Sequence, residues 1–77
     1  MDSKKKAIAV IDIGMTNKKV AMYDDQLKLL ALQKREFVPL MVDGIEAHDL
    51  AAMETWFFDE LKAFSTQFEI QAIAVCT

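Results

Sequence analysis

The 77-residue chain contains one cysteine, one histidine, one proline, one tryptophan and two glycines. Each scarcity excludes something. A lone Cys76 forbids an intrachain disulfide, and with only His48 beside it no cysteine–histidine zinc site can be assembled. A fold that does without disulfides points to the cytoplasm. No apolar run approaches the ~20 residues of a membrane span. The oily stretch from Ala7 to Ile11 stops at Asp12, too short for a secretory signal, although Lys4-Lys5-Lys6 precede it. Those lysines read instead as a flexible basic tail over residues 1–6. With 9 basic against 12 acidic residues and a formal charge of −3, the chain lacks the basic footprint of a nucleic-acid module.

What is present is globular in character, 53% hydrophobic and 27% charged. A domain of this size buries only ~60% of the surface its unfolded chain exposes, so a self-sufficient core is marginal.

Ala7 to Ile13 is a continuous, partly β-branched run that predicts a strand covered on both faces, ended by Gly14. Val20 to Tyr23 is a second short apolar run. Only Met15 to Lys19 separates the two, which predicts a β-hairpin. Asp24-Asp25 supplies the next turn. Leu27 to Val38 has the composition of a helix, but it follows a hairpin and ends in the extended Phe37-Val38-Pro39, so a third strand is expected. Asp43-Gly44 is a turn signal. Asp49 is placed to cap a helix whose Leu50, Met53, Phe57, Leu61 and Phe64 form one apolar stripe, widened by Trp56. Ile70 to Cys76 predicts a further buried strand, with Trp56 in the core and Cys76 a small buried hydrophobe at the strand's end or, as the lesser alternative, a residue lining a cleft. The expected order is β-β-β-α-β, the last strand returning parallel across the helix to give an α/β fold with a mixed sheet.

Asp12 interrupts the first strand with a carboxylate, and Gly14, Thr16, Asn17 and Lys19 follow it around the hairpin turn. These residue types suit phosphate with a metal ion. A carboxylate holds Mg²⁺ directly or through water, a glycine lets a backbone come close, hydroxyl and amide groups donate to phosphate oxygens, and an ammonium from Lys19 or Lys18 offsets their charge. The spacing is neither that of a Walker A loop nor of an EF-hand. His48, before the helix, reads as a surface or capping residue.

The arrangement over residues 7–77 resembles the N-terminal segment of the FGGY carbohydrate kinases, in the actin-like ATPase superfamily with a ribonuclease H-like fold. That family's Asp-x-Gly-Thr-Thr/Ser-x-x-Lys/Arg hairpin is matched by "DIGMTNKK" at Asp12, Gly14, Thr16 and Lys19. Arg35-Glu36-Phe37, the stretch from Gly44 through Glu46 to Asp49, Trp56 and the terminal "IAVCT" follow the same pattern. The chain departs from it at Met15, where a threonine is usual, and by about one inserted residue between Glu46 and Asp49. The resemblance implies the N-terminal part of the first ATPase domain of a longer kinase that transfers the γ-phosphate of ATP to a sugar, ketose or polyol hydroxyl. It puts Asp12 near Mg²⁺ and Gly14, Thr16, Asn17 and Lys19 near the nucleotide phosphates. The catalytic base, adenosine pocket and most sugar contacts lie downstream in that family, so the segment alone is expected to be inactive.

Two other readings are open. One is an ATPase segment of actin or chaperone type, with water as acceptor. The other is a non-enzymatic module that self-associates through its strand edges, because an incomplete sheet leaves backbone groups unpaired.

Overall fold

Backbone pairing rather than side-chain oiliness sets the first strand's length. In the computed structural model, which describes residues 4–14 and 17–76, β1 runs Lys5–Ile13 and is followed by β2 (Asn17–Tyr23) and β3 (Leu29–Glu36). Then come β4 (Leu40–Val42), β5 (Ile45–Ala47), α1 (Leu50–Ser65) and β6 (Phe68–Cys76). Lys5 and Lys6, expected in a tail, lie in β1 opposite Phe68 and Glu69. The Lys4 ammonium donates to the Ser65 carbonyl at 2.8 Å.

The main sheet has the order β3-β2-β1-β6. β1–β2 and β2–β3 are antiparallel, and β6 returns parallel to β1, so the fold is α/β with a mixed sheet and one helix, as expected. Leu29–Glu36 is a strand despite its helix-forming residues, because a full ladder with β2 outweighs local propensity. The sequence reading did not anticipate β4 and β5. It identified their Asp43-Gly44 turn but not arms of three residues each, too short to show a period. Both turn residues have positive φ, 52° and 76°, as a tight two-residue hairpin requires.

α1 begins where expected. The Asp49 carboxylate accepts from the Ala52 amide at 3.0 Å, satisfying one of the free donors of the first turn. Met53, Trp56 and Phe64 of the apolar stripe are buried against Ala7 and Ala9 of β1 and Val20 and Met22 of β2, with Phe57 and Leu61 packed at the margin. Leu50, at the head of the stripe, is exposed. Arg35, Phe37 and Trp56 also meet. The Arg35 guanidinium lies 4.9 Å over the Phe37 ring, whose centroid is 5.9 Å from that of Trp56 in an edge-on contact.

One helix covers one face. Along β1, Ala7, Ala9 and Ile11 are buried while Ile8, Val10 and Asp12 are half-buried on the opposite side, so the strand is not covered on both faces as expected. β6 departs further. From Gln71 to Cys76 every residue is exposed, and Cys76 is an exposed thiol, not a buried hydrophobe. The cause is position, because β6 is an edge strand and the helix reaches it chiefly through Phe64 against Phe68. The radius of gyration, 14.5 Å, exceeds the roughly 11.5 Å of a compact domain of this length. Among the described residues no helix is long and apolar enough to cross a membrane.

Leu27 has φ 62° and is 75% exposed, a left-handed conformation that costs a branched side chain about 1–2 kcal/mol. Leu27→Gly is therefore expected to raise stability by up to about 1 kcal/mol, the remainder being offset by glycine's greater freedom in the unfolded chain. Urea unfolding of the two proteins measures the difference.

Candidate functional site

The β1–β2 hairpin places the expected residues on two different faces. Asp12 is paired with Lys19 across the antiparallel ladder and with Cys76 across the parallel one. Directly opposed residues share a face, so the Asp12 carboxylate and the Lys19 ammonium both stand on the side away from α1. They line a hollow of about 230 Å³ with Tyr23, Leu32 and Cys76. Sequence reasoning did not connect Tyr23 or Leu32 with the site. The signal was available in the period-two alternation, which sends Lys19, Ala21 and Tyr23 of β2 to one side.

Lys18 has the opposite orientation. It is 2% exposed, and its ammonium donates to the Gly14 carbonyl at 2.7 Å. Neighbouring lysines thus have separate roles: Lys18 braces the turn from the helix side and Lys19 faces the open side. Among the described residues no buried side-chain nitrogen or oxygen lacks a partner.

Gly14 is required by the turn itself. Its amide donates to the Asn17 carbonyl at 3.1 Å, and a Cβ at this position would stand 2.8 Å from that same oxygen. The sequence reading gave the glycine the task of admitting a ligand, whereas the contact that excludes a side chain is with the hairpin's own backbone. Gly14→Ala is expected to cost about 1–3 kcal/mol, since the carbonyl must shift to admit the methyl group, and thermal unfolding reads the loss. Asn17 opens β2 as an exposed residue paired with Glu36. Thr16 and Met15 lie outside the described residues.

The other end of the sheet is a turn stabilised by a carboxylate. Asp24 accepts from the Lys28 and Gln26 amides at 2.8 and 2.9 Å. The Lys28 hydrogen bond is the main cause that holds its pKa below the ordinary 3.8. A folded-state value below the unfolded one stabilises the fold above the ordinary value, and that contribution is lost as pH falls through the lower, folded-state value. Acid unfolding of wild type and Asp24→Asn should therefore show a difference that disappears on acidification below about pH 3.8. Lys5, Lys6, Asp25 and Gln71 border a larger hollow here, about 510 Å³. Size does not make it the better site, because the Asp24 carboxylate is already committed to the turn.

Among the described residues no three acidic, histidine or cysteine side chains gather as a metal cage. A single carboxylate at Asp12 suits an ion that keeps most of its water and takes its remaining ligands from phosphate, as Mg²⁺ does. The donor set thus suits a hydrated Mg²⁺ and does not fit zinc.

Among solved structures, the chain is similar to a carbohydrate kinase from Novosphingobium aromaticivorans, with a TM-score of 0.77 and 29% sequence identity. The similarity covers 95% of this chain and 15% of that one, so the chain corresponds to a small segment of the larger enzyme. No protein-family model and no curated protein matches the sequence.

Proposed function

We propose that this chain is the first phosphate- and metal-binding segment of an ATP-dependent carbohydrate kinase of the FGGY type, built on part of a ribonuclease H-like, actin-like ATPase fold. The observation that carries the reading is the hairpin in which Asp12 and Lys19 stand opposed on the open face. The likeness of the segment around it to a carbohydrate kinase supports the assignment.

In this reading Asp12 would hold a hydrated Mg²⁺, which when bound would supply neutralisation of nucleotide phosphate charge. The Lys19 ammonium lies across the ladder from Asp12 and offsets charge on the same phosphates. The Thr16 hydroxyl and the Asn17 side-chain amide donate to phosphate oxygens, while the Gly14 amide holds the turn closed through the Asn17 carbonyl. Phosphoryl transfer depends on positioning and on stabilising charge on the moving group, and the hairpin supplies part of each. The acceptor is a sugar, ketose or polyol hydroxyl. Its base and most of its contacts belong to the remainder of a kinase, since the chain corresponds to only 15% of the similar enzyme.

Calorimetric titration with Mg²⁺–ATP, paired with a sugar-stimulated turnover assay, tests the proposal. Weak, magnesium-dependent binding without turnover is the expected result. Sugar-stimulated turnover by these 77 residues alone, or binding indifferent to magnesium, would overturn it.

A further inference from the structure

The row of residues that crosses the open face through Asp12 does not end at Lys19. In the ladder between β2 and β3, Lys19 is paired with Lys34, just as Asp12 is paired with Lys19 in the ladder between β1 and β2. Directly opposed residues share a face, so Asp12, Lys19 and Lys34 stand side by side on the side away from α1. Lys19 is half-buried and Lys34 is exposed. Among the described residues neither ammonium is held in a hydrogen bond or an ion pair. Glu36, two residues along β3 and opposite Asn17, shares that face but pairs with neither lysine. The neighbouring cations are engaged elsewhere: the Lys18 ammonium donates to the Gly14 carbonyl, and the Arg35 guanidinium lies over the Phe37 ring. Ammonium groups at directly opposed positions repel each other. A lysine on an edge strand also discourages pairing with another strand, but that role calls for no second lysine facing it across the ladder. An anion laid across the row relieves the repulsion.

We infer that Lys34 is a second cation of the phosphate cradle, and that it gives the site a preference for a longer polyphosphate chain over a shorter one. The inference rests on the phosphate reading of Asp12 and Lys19. From Asp12 to Lys34 is two strand spacings, about 10 Å, a span that suits a chain of phosphates better than a single group. The flexible stem of a lysine lets its ammonium reach along such a chain. With a divalent ion on Asp12, positive charge extends across the whole row. Lys19 then meets the phosphates beside the ion, and Lys34 meets the part of the chain farther from it.

Calorimetric titration with ATP and with ADP, each in the presence of magnesium, compares the wild type with Lys34→Met, Lys34→Arg and Lys28→Met. Lys28 is an exposed lysine at the other end of the β2–β3 hairpin, so its replacement removes the same charge far from the row. Lys34→Met should weaken ATP binding about fivefold, the upper range for an exposed charge pair, and ADP binding by less, so that the ratio of the two affinities narrows. Lys34→Arg should restore both affinities, and Lys28→Met should leave both as in the wild type. The urea midpoint of Lys34→Met should match that of the wild type, which separates lost binding from lost fold. If Asp12→Asn and Lys19→Met weaken binding while Lys34→Met binds ATP as the wild type does, the role of Lys34 is overturned and the phosphate reading stands. Equal losses for ATP and ADP, or a loss in Lys28→Met as large as in Lys34→Met, would also overturn it, by showing an effect of net charge alone. A wild type that binds neither nucleotide would overturn the phosphate reading and this inference together.

Discussion

Trp56→Ala is expected to unfold much of the population at room temperature. Trp56 is buried on the sheet-facing side of α1, in edge-on contact with Phe37 and 5.1 Å from the Phe57 ring. Removing a buried indole costs about 3–5 kcal/mol through lost burial and the cavity left behind. Chains of this length have roughly 4–12 kcal/mol in total, and the uncovered sheet face and extended outline place this one towards the lower end. The indole also joins the segment after β3 to the helix through its edge-on contact with Phe37, over whose ring the Arg35 guanidinium lies. Urea denaturation followed by far-ultraviolet circular dichroism should show the midpoint fall by more than half. Phe58→Ala, on the same helix but 63% exposed, should change stability by no more than ~0.5 kcal/mol.

Asp12→Asn is expected to have the largest effect on ligand binding with little effect on the fold. The side chain is half-buried on the open face and takes no part in the helix-side core. Asparagine keeps its size and its strand position but lacks the negative charge that would hold a hydrated cation. A hydrogen bond or ion contact to a charged group is worth about 1.5–3 kcal/mol, so Mg²⁺–ATP binding should weaken by roughly tenfold or more. Binding of ATP without metal should be unchanged or slightly stronger, because a carboxylate facing phosphate is repulsive. Lys19→Met should weaken both forms, which distinguishes a metal-holding group from a phosphate-facing one. Titration of the three proteins with and without magnesium gives the comparison.

The parts of the fold legible in the sequence were those with a strong local signal. Asp49, followed by apolar residues at three- and four-residue steps, marked the helix and its cap, and the short gap between two apolar runs marked the first hairpin. The parallel return of β6 followed from chain-crossover geometry. Burial was harder to read, because oily composition records what a strand can pack against and not whether a partner layer exists. Ile73 and Val75 look like core residues and are exposed because one helix cannot span the sheet. β4 and β5 were hidden by their brevity.

At the proposed site, the residue types alone left Lys18 and Lys19 interchangeable, and only the family resemblance singled out Lys19. That distinction depends on the parity of the strand, which the ladder fixes through the pairs Ile13 with Lys18 and Asp12 with Lys19. Gly14 was correctly singled out for its missing Cβ, but the nearest obstacle is the Asn17 carbonyl, a contact that depends on how the turn closes. Arg35, Phe37 and Trp56 entered as marks of resemblance, and in the structure they form a continuous packing chain.

The most direct test of the phosphate and metal role replaces Mg²⁺ with paramagnetic Mn²⁺ in complex with ATP and maps amide broadening in the ¹⁵N-labelled chain by nuclear magnetic resonance. Broadening should be strongest at Asp12, Ile13, Gly14 and Lys19, fade along β1 towards Lys5, and largely disappear in Asp12→Asn. Broadening centred instead on Asp24 and Asp25, or unchanged when Asp12 is replaced, would contradict the assignment of this hairpin as a metal–phosphate site.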